Sequence, residues 1–225
     1  VAILKAFEEQ GILRAFRVEE AFVDAQLFDS RDRLTVRQDG LDLQLFTPDA
    51  DSGRAVHAIE LALRAVAPEN PRMVSASFQH ITDLAPLDFE EAVRRGYGGV
   101  LGNLTAGGLR FGDWAVLADI TLDQPPATGV VEFGIIRAEE APRRLARDAG
   151  RAHGDRGSAQ RWAAHEFPAV AVFSDATVRG PLESRDALVA SATEFWCKAR
   201  TEAGSLSARL SEILLTDNAG RVESK

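Results

Sequence analysis

His80 and Asp83, three residues apart in "FQHITD", are the simplest acid–base pair in the chain. An imidazole titrates near neutral pH, and a carboxylate beside it could fix its orientation while it moves a proton. The same spacing also arises where a strand exits into a polar turn, so the pair is a catalytic candidate that competes with a plain structural reading. A second concentration of chemistry is "RRGYGGVLGNLTAGGLRFGDW", residues 94–114, with seven glycines in twenty-one residues. Backbone N–H groups in such a loop can cradle an anion, and Arg94, Arg95, Gly98, Gly99 and Arg110 are its ligand-binding candidates.

Spacing argues against the familiar phosphate loops. The dinucleotide fingerprint GxGxxG, counted from Gly96 and Gly98, meets Leu101 where its third glycine belongs. A P-loop needs a lysine and a hydroxyl residue after its glycines, yet the lysines are Lys5, Lys198 and Lys225. The simpler expectation is that the stretch turns: Gly96 ends the helix begun by "DFEEAVRRG", and Gly107-Gly108 allow a tight approach to a strand at 114.

The remaining reactive residues are scattered. His57, His80, His153 and His165 show no HExxH or paired helical spacing, and Cys197 is the lone cysteine, so neither a metal site nor a cofactor is expected. Cys197 lies on or beside an apolar stripe and reads as a small core or interface residue. Asp119 and Glu132 would form an acidic pair only if strand register brought them into one cleft; otherwise both belong to a solvent-facing sheet surface. Charge segregates most strongly at 137–161, which carries a net +3 in a chain of net charge −8. Arg143, Arg147 and Arg151 share one side of a helix there, giving either a solvated face or a surface for an acidic partner or a small anionic ligand.

These residues need elements to position them. "RLTVRQDGLDLQLF" alternates apolar and polar residues around Asp39-Gly40, predicting a hairpin in which Val36 faces Leu43 and Arg37 faces Asp42. "FRVEEAFVDAQLF" before it reads as a further strand or a helical piece. Val56, Ile59, Leu63 and Val66 predict a helix over 52–67 with that face inward. "RMVSASFQHI" predicts a strand with Val74, Ala76, Phe78 and His80 on one side, followed by a helix that Asp88 caps and Glu91 closes. "DWAVLADITL" and "GVVEFGII" predict an antiparallel pair at the centre of a sheet, "EEAPRRLARDAGRA" a short helix and "FPAVAVF" another strand. Leu188, Ala192, Phe195, Trp196, Ala199, Ala203, Leu206, Leu210, Ile213 and Leu214 trace a long C-terminal helical stripe. Such a stripe requires cover from the same chain or a second copy, with Trp196 and Leu210 as partner-binding candidates.

The helix at 52–67 and the strand at 73–80 resemble the central helix and following strand of hot-dog acyl-thioester proteins. The resemblance covers under half the chain, brings no catalytic signature and is not adopted; it implies an acyl-thioester beside that helix.

The apolar fraction of 45% and charged fraction of 27% are those of a soluble globular chain. Net negative charge disfavours nucleic acid, no apolar run reaches membrane-spanning length, and the location expected is cytoplasmic. The expected fold is α+β: antiparallel or mixed sheets with packed helices, arranged as two ferredoxin-like layers, and a long C-terminal helix. It is read as one unit over 1–225, with a subdomain division at 1–112 and 113–225. The leading functional expectation is a non-catalytic binding or assembly protein, with self-association among its modes. The alternative is a small-molecule enzyme using the glycine-rich loop and His80 on an anionic or acyl-thioester substrate.

Overall fold

The computed structural model describes residues 2–20, 22–28, 32–37, 40–45, 52–66, 73–101, 114–123, 126–145, 166–181 and 187–216. Among them, helices and strands follow one another as α1 (Ala2–Glu9), β1 (Leu13–Val18), β2 (Phe22–Leu27), β3 (Asp32–Arg37), β4 (Leu41–Gln44), α2 (Ser52–Val66), β5 (Met73–Asp83), α3 (Phe89–Leu101), β6 (Ala115–Leu122), β7 (Ala127–Arg137), β8 (Val170–Pro181) and α4 (Leu188–Leu215). The strands form two four-stranded sheets, ordered β1-β2-β3-β4 and β5-β8-β7-β6. The fold is therefore α+β with antiparallel sheets, packed helices and a long C-terminal helix. Contacts cluster into two units, Val1–Val74 with Pro181–Cys197, and Ser75–Gly180 with Lys198–Lys225.

In the first unit α1 ends on Gly11, whose φ of 67° is open to glycine at little cost. Gly11 N–H donates to Glu8 O and Ile12 N–H to Phe7 O, each at 2.9 Å, the paired closure of a Schellman motif. Ile12 and Phe7 then enter one core with Ala25, Leu27 and Leu34. The ambiguous "FRVEEAFVDAQLF" is two antiparallel strands, β1 and β2. The predicted hairpin forms as β3 and β4, but with Leu34 opposite Leu43, Val36 opposite Leu41 and Thr35 opposite Asp42. Arg37 N–H donates to Gly40 O at 2.8 Å. The register thus moves by two residues from the expected Val36–Leu43 and Arg37–Asp42 pairs. A two-residue shift preserves strand parity and keeps the leucines on the inner face.

Helix α2 occupies the expected span, but its inner face is rotated. Ala55, Ala58 and Ala62 are fully buried, whereas Val56, Ile59 and Leu63 are half-buried. Alanine brings the helix backbone close to its neighbours, so the small side chains take the inner line and larger ones close its flanks.

In the second unit, side-chain bonds from Ser77 to Thr177 at 2.7 Å and from Gln79 to Asp175 at 3.1 Å fix β5 antiparallel to β8. One sheet face carries Phe78, Ala118, Ile120, Val131, Phe133 and Ala176, packed with Ala203 and Leu206 of α4. Further along, α3 packs Ala92 and Val93 with Trp114, Ile135, Val172 and Leu214. On the opposite face, Ile136, Ala171 and Phe173 cluster with Ala141 from the helical stretch 141–145. Among the described strands β6 lies at the edge of this sheet and β7 inside it, so of the two only β7 is central as expected.

The helix begun by "DFEEAVRRG" does not end at Gly96; α3 continues to Leu101. A Cβ at Gly96 would stand 2.7 to 2.9 Å from three ring atoms of Trp114. The glycine lets the indole lie directly on the helix backbone. The C-terminal stripe is also corrected: Ile213 is 41% exposed, while Ser207 and Ser211 are buried on the inner line. Ser211 Oγ donates to Ser207 O at 3.0 Å, and Ser207 Oγ lies 3.3 Å from Thr82 Oγ1, so the buried hydroxyls are satisfied. Cys197, expected in the core or an interface, is exposed.

Candidate functional site

Charge and hydrogen bonding meet most closely on α3. Asp88 Oδ1 accepts the Glu91 N–H at 2.8 Å, which is the expected N-cap. Glu91 in turn accepts from Arg94 Nε at 2.8 Å and Arg94 Nη2 at 2.6 Å, and from Arg95 Nε at 2.7 Å. Hydrogen bonds from the two guanidiniums hold the Glu91 carboxyl down at about 2. Arg95 Nη1 also donates to the carbonyls of Leu214 and Leu215, each at 3.1 Å. A cation at the negative end of α4 is favoured by the helix dipole and satisfies carbonyls left without intrahelical partners. Arg94 and Arg95 thus sit on Glu91, and Arg95 clasps α3 to the end of α4.

Two of the other ligand-loop candidates follow Arg94 and Arg95 about one turn further along the same helix. Gly98 is exposed on α3 and Gly99 lies within the same helix, while Arg110 lies outside the described residues, as do Gly107 and Gly108. His80 is half-buried in β5, on the parity of Ala76 and Phe78. Asp83 is three residues on, an odd step that puts it on the opposite face of the strand. Its Oδ1 accepts the Ala85 N–H at 2.9 Å and shapes the turn leaving β5.

Register decides the acidic pair. Asp119 stands opposite Val130 and Leu117 opposite Glu132, so Asp119 and Glu132 are diagonal neighbours on one face. Glu132 accepts from Arg144 Nη1 at 2.5 Å, an ion pair about a quarter exposed on each side. Arg143, next to it, is exposed, whereas Arg147 and Arg151 lie outside the described residues. Trp196 and Leu210 are half-buried on α4. Among the described residues no group of three or more His, Cys, Asp and Glu side chains is placed to hold a metal ion. No helix there is long and apolar enough to cross a membrane.

The surface that sequence reasoning missed is the outer side of β6. Burial alternates strictly along this strand: Val116, Ala118, Ile120 and Leu122 turn inward, Ala115, Leu117, Asp119 and Thr121 outward. Leu117 is 70% exposed, and Val130 on the neighbouring strand 40% exposed. The signal was present in "AVLADITL": on the face set by Asp119 and Thr121, Leu117 is the large apolar residue that breaks the pattern.

Compared with models of protein families, with curated proteins and with solved structures, the chain matches none.

Proposed function

We propose that this protein is a non-catalytic binding or assembly module that works through the β6 edge of its second sheet. The observation that carries the reading is Leu117, exposed on an edge strand beside exposed Val130. An edge strand presents backbone donors and acceptors that another strand can pair with, and such edges are usually blunted by lysine, proline or a bulge. β6 contains neither lysine nor proline, and its pairing with β7 runs from Ala115–Gly134 to Leu122–Ala127 without a shift in register. Strand addition from a second copy would cover Leu117 and extend the sheet.

The cytoplasm belongs to the same proposal, since a reducing compartment suits the exposed Cys197 thiol. The acidic-partner surface belongs to it too, supported by the exposure of Arg143. A ferredoxin-like layering draws support from the antiparallel sheet and helices of each unit, although the β1-β2-β3-β4 meander lacks the split βαβ pairing of such a layer.

Sedimentation equilibrium over a concentration series tests the assembly reading. The wild type should show masses above that of the 24.4 kDa chain, and Leu117→Lys should return it to monomer while keeping the unfolding midpoint that the wild type has at dilutions where it is dissociated. A wild type that stays monomeric throughout the series would reject self-assembly through β6.

A further inference from the structure

Between α4 and the inner face of the second sheet lies a cavity of about 160 Å³. Its walls are Phe78 of β5, Ile120 and Leu122 of β6, Val178 of β8, and Ala203 and Leu206 of α4. The space has an identifiable origin. Ile120 is opposite Gly129 on β7, and Gly129 is opposite Val178 on β8, so the strand between two walls contributes no side chain at that level. Gly129 is held there by close backbone approach: a Cβ would collide with the Thr177 carbonyl oxygen and stand 2.8 Å from Val178 Cα. Above the gap, α4 presents Ala199 and Ala203, one turn apart, and the sheet answers with Ala176. Small residues face small residues, and the helix cannot close the space.

The geometry points to a ligand site here for a small uncharged aromatic ring, bare or carrying a short alkyl group. An enclosed apolar cavity of roughly 150 Å³ takes up benzene; this one is of similar volume and mostly apolar lining, but it is partly open to solvent and its wall also carries Thr121 and Glu202. Phe78 supplies a ring against which an aromatic guest can pack edge to face. Glu202, the charged residue on the wall, is engaged by Lys198 at 2.7 Å, so no unmatched charge asks for an ionic ligand. This inference stands apart from the β6 edge, because the cavity lies on the inner face and Leu117 on the outer.

Toluene is the probe. Added to the 225-residue chain, it should raise the unfolding midpoint progressively with concentration, as any ligand that binds only the folded state does. Isotope-filtered NOEs should run from toluene protons to Phe78, Ile120 and Leu206. Ala203→Leu, which places a branched side chain in the cavity, should weaken toluene binding by at least about tenfold through loss of free volume, and Ala199→Val should weaken it less. The wild-type NOEs need no variant, so the test survives a substitution that fails to fold. Absence of a toluene-dependent midpoint shift, NOEs confined to other residues, or equal toluene affinity in wild type and a folded Ala203→Leu protein would each overturn the assignment.

Discussion

Helices α2 and α4 both turn alanines inward, with opposite results. On α2, Ala55, Ala58 and Ala62 are all completely buried, and the core that holds Ala58 and Ala62 includes Phe7, Leu27 and Leu34, each also at 0% exposure. On α4, Ala199 and Ala203 face Ala176 and the gap over Gly129, and a cavity remains. An inward alanine lets a helix approach closely only when the opposing surface brings large side chains into the space it vacates. The helix sequence alone therefore does not define packing; the partner surface completes it.

The largest expected effect contrasts one substitution in the two cores. Leu34→Ala should fall in the upper part of the roughly 2–5 kcal/mol range for truncating a buried leucine, because Leu34 is completely enclosed. Leu206→Ala should cost about 2 kcal/mol or less, since Leu206 is half-buried and already borders the cavity. Urea denaturation of both variants measures the contrast, and equal losses would undo it.

Gly96→Ala sharpens the comparison from the tight side. Its methyl group would enter the Trp114 ring, 2.7 Å from the nearest ring carbon. Overpacking of this kind costs about 1–3 kcal/mol, against a helix-propensity gain of up to about 1 kcal/mol. A net loss of stability with a shifted tryptophan emission spectrum is expected; a net gain would mean that the indole gives way freely. Asp88→Ala removes the α3 cap and should cost about 1 kcal/mol, read from the same denaturation curves.

The smallest effect is that of Glu91. Its carboxyl is held at about 2 by Arg94 and Arg95, so its contribution is present above the ordinary glutamate value and fades as pH falls through about 2. Partial exposure of the cluster limits the contribution to less than about 1 kcal/mol. The stability difference between wild type and Glu91→Gln should shrink as pH is lowered from about 5 to about 2, measured by denaturation at each pH. A difference that persists undiminished at the acid end would assign it to something other than the Glu91 charge.

Local signals were legible in the sequence, and features set by distant partners were not. The Asp88 N-cap and the alternation in β5 were read from neighbouring residues, and both appear, whereas the Glu91 carboxylate expected to close the capping box accepts from Arg94 and Arg95. The hairpin faces were read correctly, but its register was not, because a two-residue shift leaves the alternation of leucines unchanged. Gly96 looked like a helix terminator because its reason for being glycine is Trp114, which reaches it only through the tertiary fold. Ser207 and Ser211 were passed over in the α4 stripe in favour of Ile213, since hydropathy cannot show that their hydroxyls find Thr82 and a backbone carbonyl. β6 appeared central because its sequence is apolar on nearly every residue, and strand order depends on long-range pairing. Of the proposed site residues, Arg94 and Arg95 were recognised as neighbours, but Glu91 as their shared acceptor was seen only as a capping-box residue.

The most direct test of the contrast between the two helices is the paired substitution Ala62→Leu and Ala203→Leu, followed by urea denaturation under identical conditions. Ala62 is completely buried in the first core, and its replacement should destabilise the protein by about 1–3 kcal/mol through overpacking. Ala203 borders the cavity, and its replacement should be neutral or stabilising as the leucine fills vacant volume. Equal destabilisation by the two leucines would contradict the claim that small residues facing small residues leave unfilled space between α4 and its sheet.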